Sequence, residues 1–173
     1  MSPNVVPASP LVDVARGIDW TQPVTTALSD AADAQTRALI DGFVHESGPP
    51  PARFAWVVFG SHARRELHCA SDQDSALFWQ TEQAARTSYA KDLAVAVIDG
   101  LERFGLRPCD GGYMADTWSY SLEQWQQILR ERVDAPTPDA VVDADVFLDL
   151  RQLKGALDVA PARRPPTTVD PHR

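Results

Sequence analysis

Two short, purely apolar runs stand out against a chain that otherwise mixes polar and apolar positions. Ala55-Trp56-Val57-Val58-Phe59 ends abruptly at Gly60-Ser61, and Ala76-Leu77-Phe78-Trp79 follows the polar stretch Ser71-Asp72-Gln73-Asp74-Ser75. Runs of this length bounded by turn residues predict buried strands, over Arg53–Phe59 and Asp72–Gln80. Ser61–Leu67, between them, has room for one or two helical turns. Upstream, Val24, Leu28, Ala31, Leu39, Ile40, Phe43 and Val44 recur at helical spacing and predict a helix over Pro23–Glu46. Asp30 and Asp33 fall on its outer face in this reading, and Ser47-Gly48-Pro49-Pro50-Pro51 stops it.

Downstream, Tyr89, Leu93, Val97, Leu101 and Phe104 form the inner stripe of a long helix over Thr81–Phe104, with Gly105 suited to its C-terminal cap. Leu106–Asp116 is irregular and contains Gly111-Gly112. Leu122, Trp125, Leu129 and Val133 mark a helix over Ser121–Val133. Val146-Phe147-Leu148-Asp149-Leu150 reads as a third strand. Residues 1–19 read as a flexible arm, 20–158 as one domain and 159–173, rich in proline and arginine, as a disordered tail.

The order of these elements carries chemistry. A glycine-serine corner after a strand lets an anion approach the backbone, and the first N–H groups of a following helix point at it. Ser61 adds a hydroxyl donor. In a strand alternate side chains share a face, so Asp72 and Asp74 point the same way while Gln73 and Ser75 point into packing. Hard divalent cations take oxygen ligands, and Mg²⁺ is held by one or two carboxylates together with substrate phosphates and water. Gly-Ser turns and Asp-x-Asp pairs are each common in loops. Their combination in this order is what points to a site for phosphoryl chemistry. His62 is read as structural rather than as a ligand. Trp118 is a candidate for stacking on a base; Trp125, at helical spacing, belongs in a core.

Composition narrows the classes. The 173 residues, 44% hydrophobic and 23% charged, suit one globular domain. A net charge of −8 offers no basic surface for duplex nucleic acid. An acidic chain still binds a nucleotide where a divalent cation supplies local positive charge. The two cysteines, Cys69 and Cys109, have neither CxxC nor zinc spacing and are read as reduced thiols, Cys109 as a small buried hydrophobe. The first residues lack the basic and apolar regions of a signal peptide, and no apolar run is long enough to span a bilayer. The expectation is a cytoplasmic protein with no membrane partner.

Gly60-Ser61-His62-Ala63-Arg64-Arg65-Glu66 with Ser71-Asp72-Gln73-Asp74-Ser75-Ala76 resembles the nucleotidyltransferase family related to the N-terminal domain of protein-PII uridylyltransferase, whose bacterial members often accompany CBS or cyclic-nucleotide-binding domains. Similar second and third blocks are Cys109-Asp110-Gly111-Gly112-Tyr113-Met114-Ala115, with Trp118 and Trp125, and Phe147-Leu148-Asp149-Leu150-Arg151, with Gly155. The resemblance covers about residues 20–158. It implies an α+β, polymerase-β-like fold, a small mixed sheet with helices packed on it. It implies Mg²⁺ or Mn²⁺ held by Asp72 and Asp74, with Asp149 as candidate third carboxylate; the alternative for Asp149 is a salt bridge to Arg151 or Arg64. Gly60, Ser61 and Arg64 are the implied contacts to a nucleoside triphosphate.

The implied reaction transfers a nucleoside monophosphate from the triphosphate to a protein or small-molecule hydroxyl, as in uridylylation. The alternative is a catalytically weak nucleotide-sensing or interaction module in bacterial signal transduction. Family members continue into a helical domain, so the expectation is a minimal catalytic core, acting alone, as a homodimer or with a helical partner chain.

Overall fold

The computed structural model describes residues 9–18, 23–134 and 149–163. Helix α1 spans Pro10–Gly17, α2 Val24–Ser47, α3 Gly60–Ala63, α4 Glu82–Ala85, α5 Ser88–Phe104 and α6 Leu122–Asp134. Strands are β1 Phe54–Val58, β2 Asp72–Gln73, β3 Ser75–Trp79, β4 Arg107–Pro108, β5 Ser119–Ser121 and β6 Arg151–Lys154. The main sheet has the order β5-β3-β1-β6. β1 runs antiparallel to both neighbours, with Val58 opposite Ser75 on one side and Arg151 on the other. β3 and β5 are parallel. β2 and β4 form a separate two-stranded parallel sheet. This is the small mixed sheet with packed helices that the α+β expectation describes.

Both apolar runs are buried along their whole length because the sheet is covered on both faces. Phe54, Trp56, Val58, Leu77 and Trp79 pack with Leu28 and Ile40 of α2 and Leu93, Val97 and Leu101 of α5. Ala55, Val57, Phe59, Ala76 and Phe78 pack on the other side against Trp125 of α6, Val159 and Ala162. Trp125 stacks on Phe59 at 6.0 Å between centroids.

The expected elements differ from the observed ones in places with identifiable causes. The long helix over Thr81–Phe104 is two helices, because Thr81 and Thr87 each act as an N-cap, accepting from the amides of Ala84 and Ala90. The Thr87 hydroxyl also donates to the Ala84 carbonyl (2.8 Å), closing one helix while it opens the next. Gly105 ends α5 in the left-handed region, as expected. The strand over Asp72–Gln80 divides at Asp74, where the chain passes from the small sheet to the main one.

The stretch expected as a loose arm includes α1, capped by Ser9 and burying Leu11 against the end of α5. A side chain on Gly105 would begin 2.5 Å from Ser9 Oγ. Residues 159–163, assigned to the tail, also pack: Ala160–Arg163 forms a 3₁₀ turn whose Ala162 carbonyl accepts from the Trp125 indole (3.4 Å). Strand β6 begins at Arg151, and Asp149 and Leu150, expected within a strand, precede it; residues 146–148 lie outside the described residues. No helix among the described residues is long and apolar enough to cross a membrane.

Gly155 follows β6 with φ +103, and a Cβ there would meet the Phe54 carbonyl oxygen at 2.1 Å. Backbone cannot yield as a flexible side chain does. Gly155→Ala is expected to destabilise the protein by roughly 3 kcal/mol, read as a lower midpoint in chemical denaturation; an unchanged midpoint contradicts this packing.

Candidate functional site

The site sits where β1 ends. The Phe59 amide donates to the Asp74 carbonyl (3.0 Å), extending the β1–β3 ladder by one residue and bringing Asp74 beside Gly60. Gly60 has φ +51, a conformation glycine adopts without penalty, and it opens the single helical turn α3. A Cβ placed there would lie 3.5 Å from Asp74 Oδ2. The carboxylate therefore looks directly onto a stretch of backbone with no side chain over it.

Alternation along residues 71–75 is as the pattern demands. Ser71, Gln73 and Ser75 are buried, and Asp72 and Asp74 are half-exposed. Gln73 Nε2 donates to the carbonyls of Ile98 (3.1 Å) and Leu106 (2.8 Å). Ser75 Oγ accepts from the Ala115 amide (3.2 Å). These inward anchors fix which side the two acids occupy. Burial pushes the Asp74 carboxyl above its ordinary value, and the charge of Asp72 adds to this; a hydrogen bond from the Cys109 thiol acts in the other direction. Cys109 is half-buried. Burial pushes its thiol above the ordinary value, the Tyr113 backbone acts the other way, and nearby Asp74 adds to the rise.

The donor set suits a hard divalent cation. Two carboxylates lie close enough to repel, on oxygen ligands alone, next to open backbone where phosphate oxygens would complete the shell. Asp149 is held by a guanidinium. It lies in the bend before β6, and its Oδ2 accepts from Arg64 Nη1 at 2.5 Å. Among the described residues no group of three or more His, Cys, Asp or Glu side chains is arranged to hold a metal ion. Asp149 makes the salt bridge to Arg64 that is its alternative role.

Arg64 is exposed, held by Asp149 and by Glu66 (2.8 Å), and both raise its pKa further. Ser61 is half-buried in the first turn of α3. Arg65, the one non-glycine residue with positive φ among those described, pairs with Asp30. Gly111-Gly112 makes a turn: the Gly112 amide donates to the Cys109 carbonyl (3.1 Å), and its carbonyl accepts from the Trp118 indole (3.0 Å). Trp118 lies half-buried under the Arg132 guanidinium, and Trp125 is fully buried, which removes it from stacking on a base.

Asp33 is where the sequence reading fails. It was placed on the outer face of its helix, yet it is 2% exposed. It accepts from Arg151 Nη1 (2.5 Å) and Nη2 (3.0 Å) and bonds His62 Nε2 (2.9 Å). The signal was present in the spacing. Ser29, Asp33, Thr36 and Ile40 share the buried stripe of α2, with the Ser29 and Thr36 hydroxyls satisfied by the helix's own carbonyls.

The chain matches a family model described as "putative nucleotidyltransferase DUF294" over residues 12–139, well over half its length. No curated protein matches it. The family match, with a small mixed sheet and packed helices consistent with it, makes this a nucleotidyltransferase-family domain. The chain belongs to that DUF294 family.

Burial alone would raise the Asp33 carboxyl; hydrogen bonds from His62 and Arg151, with their charges, outweigh it and bring the value from 3.8 down to about 2. A folded-state value below the unfolded one stabilises the fold above the unfolded value, and the contribution is lost as pH falls through the folded one. From about pH 4 to pH 2 the wild type is expected to lose about 2 kcal/mol more than Asp33→Asn, measured by urea unfolding at each pH. Parallel pH profiles contradict the assignment.

Proposed function

We propose that this chain is a divalent-cation-dependent nucleotidyltransferase of the protein-PII uridylyltransferase kind. It moves a nucleoside monophosphate from a nucleoside triphosphate to a hydroxyl on a protein or small molecule. The observation that carries the reading is the Asp74 carboxylate lying 3.5 Å from where a Gly60 side chain would begin, with Asp72 beside it.

Asp72 and Asp74 would hold Mg²⁺ or Mn²⁺, which supplies charge neutralisation for the phosphates and acidifies the acceptor hydroxyl. The bare backbone at Gly60 and the hydroxyl of Ser61 receive the β- and γ-phosphates. The acceptor oxygen bonds to the α-phosphorus, the bond from that phosphorus to the β-phosphate oxygen breaks, pyrophosphate leaves and the hydroxyl proton passes to water. Arg64, held by exposed carboxylates in ion pairs that exchange readily, would neutralise the departing charge. The protein's share is positioning and charge stabilisation. Asp149, freed by such an exchange, is the remaining carboxylate at this sheet edge. A role in bacterial signalling accords with the family resemblance.

The test incubates the protein with Mg²⁺ or Mn²⁺ and each of UTP, ATP, GTP and CTP, measuring pyrophosphate release and label transfer to added acceptors. Asp72→Asn and Asp74→Asn are expected to lower the rate by roughly 100-fold or more. An undiminished double variant overturns the site. Cation-dependent nucleotide binding with no pyrophosphate release assigns a sensing module instead.

A further inference from the structure

The turn α3 is an unlikely structure to stand by itself. It is four residues long, and a single helical turn has no stability of its own in water. It is entered through Gly60 at φ +51 and left through Arg65 at φ +62, a conformation that costs a non-glycine residue energy. Its neighbour Arg64 holds only surface carboxylates.

What holds the turn comes from elsewhere in the chain. Arg151, the first residue of β6, donates from Nη2 to the His62 carbonyl (2.8 Å) and from Nε to the Ala63 carbonyl (3.0 Å), capping the two last carbonyls of the turn. The same guanidinium grips both oxygens of Asp33. The His62 side chain, 3% exposed, reaches the same Asp33 oxygen. Asp33 is itself fixed on α2, which is tied to β6 again by Arg37 Nε on the Leu153 carbonyl (3.1 Å). The turn is therefore fastened by its last two carbonyls and by one side chain to the pair of half-buried Arg151 and buried Asp33. Arg151 lies opposite Val58, two residues before Gly60, so strand end and turn share one support.

We propose that Asp33, His62 and Arg151 are positioning residues for phosphate binding: they set the Gly60–Ala63 backbone against the Asp72–Asp74 pair without touching substrate. This rests on the nucleotidyl-transfer reading. Arginine is required because four acceptors at four directions need its planar fork; a lysine ammonium keeps the charge and loses the geometry.

The experiment compares wild type with Arg151→Lys, and with His62→Asn as a second, milder variant, well below every melting temperature. Three quantities are read: Mn²⁺ affinity by electron paramagnetic resonance, affinity for inorganic tripolyphosphate with Mg²⁺ by calorimetry, and hydrogen exchange of the amides of residues 63–66. Arg151→Lys is expected to weaken tripolyphosphate binding about tenfold or more and to speed exchange at those amides about tenfold, with Mn²⁺ affinity within about twofold. His62→Asn shifts the same two quantities less, and carries the comparison where Arg151→Lys does not fold. A lower melting temperature with all three quantities unchanged makes the network merely structural and overturns the proposal. So does parallel loss of Mn²⁺ and tripolyphosphate affinity. Wild-type protein that binds Mn²⁺ but no tripolyphosphate removes the nucleotidyl-transfer reading itself, a result distinct from a variant that matches a binding-competent wild type.

Discussion

One backbone hydrogen bond sets the geometry on which the rest depends: the Phe59 amide on the Asp74 carbonyl, 3.0 Å long. It is the last rung between the central strand and its antiparallel neighbour. Because it joins the residue before Gly60 to the second acid of the Asp-x-Asp pair, the turn and the carboxylate are brought together by sheet register rather than by any contact between side chains. A slip of one residue would send Asp74 to the opposite face and bury it against α2 and α5. The register is in turn specified by two faces of apolar side chains, each of which has a matching layer to pack on.

That arrangement gathers negative charge at the corner beside Gly60. Asp74 is partly buried next to Asp72, so the free protein carries an electrostatic cost there that a divalent cation and its phosphate ligands would relieve. Arg64 and Asp149 form the exposed counterpart, a pair whose mutual attraction is weakened by water. The inner supports differ in kind. Gln73, Ser75, Asp33 and Arg151 are all directed inward, to backbone carbonyls, a backbone amide or one another. The exposed pair is loosely held, and the inward groups are tightly held.

The sequence made the framework legible wherever pattern and local chemistry agreed. Unbroken apolar runs marked β1 and β3, and Gly60-Ser61 marked the corner between strand and turn. Gly105 marked the end of α5. It concealed what depends on distant partners. Thr81 and Thr87 look like ordinary helix residues until each is seen capping its own helix. β5 is three residues long and paired only through β3, so no periodicity betrays it. Asp33 is read as solvated because aspartate is rarely buried, and its burial is made tolerable by Arg151, 118 positions away. The shared side of Asp72 and Asp74 was readable from alternation; the Arg64 partner of Asp149 was not, because spacing does not contain the geometry that pairs residues 85 positions apart.

The most direct measurement is a crystal structure of the protein with Mn²⁺ and a non-hydrolysable nucleoside triphosphate analogue, with anomalous scattering to locate the metal. The account predicts Mn²⁺ bound by carboxylate oxygens of both Asp72 and Asp74, with the phosphate chain lying over Gly60 and Ser61. Metal and phosphates bound away from that corner, or a phosphate chain there with neither aspartate on the metal, would contradict it.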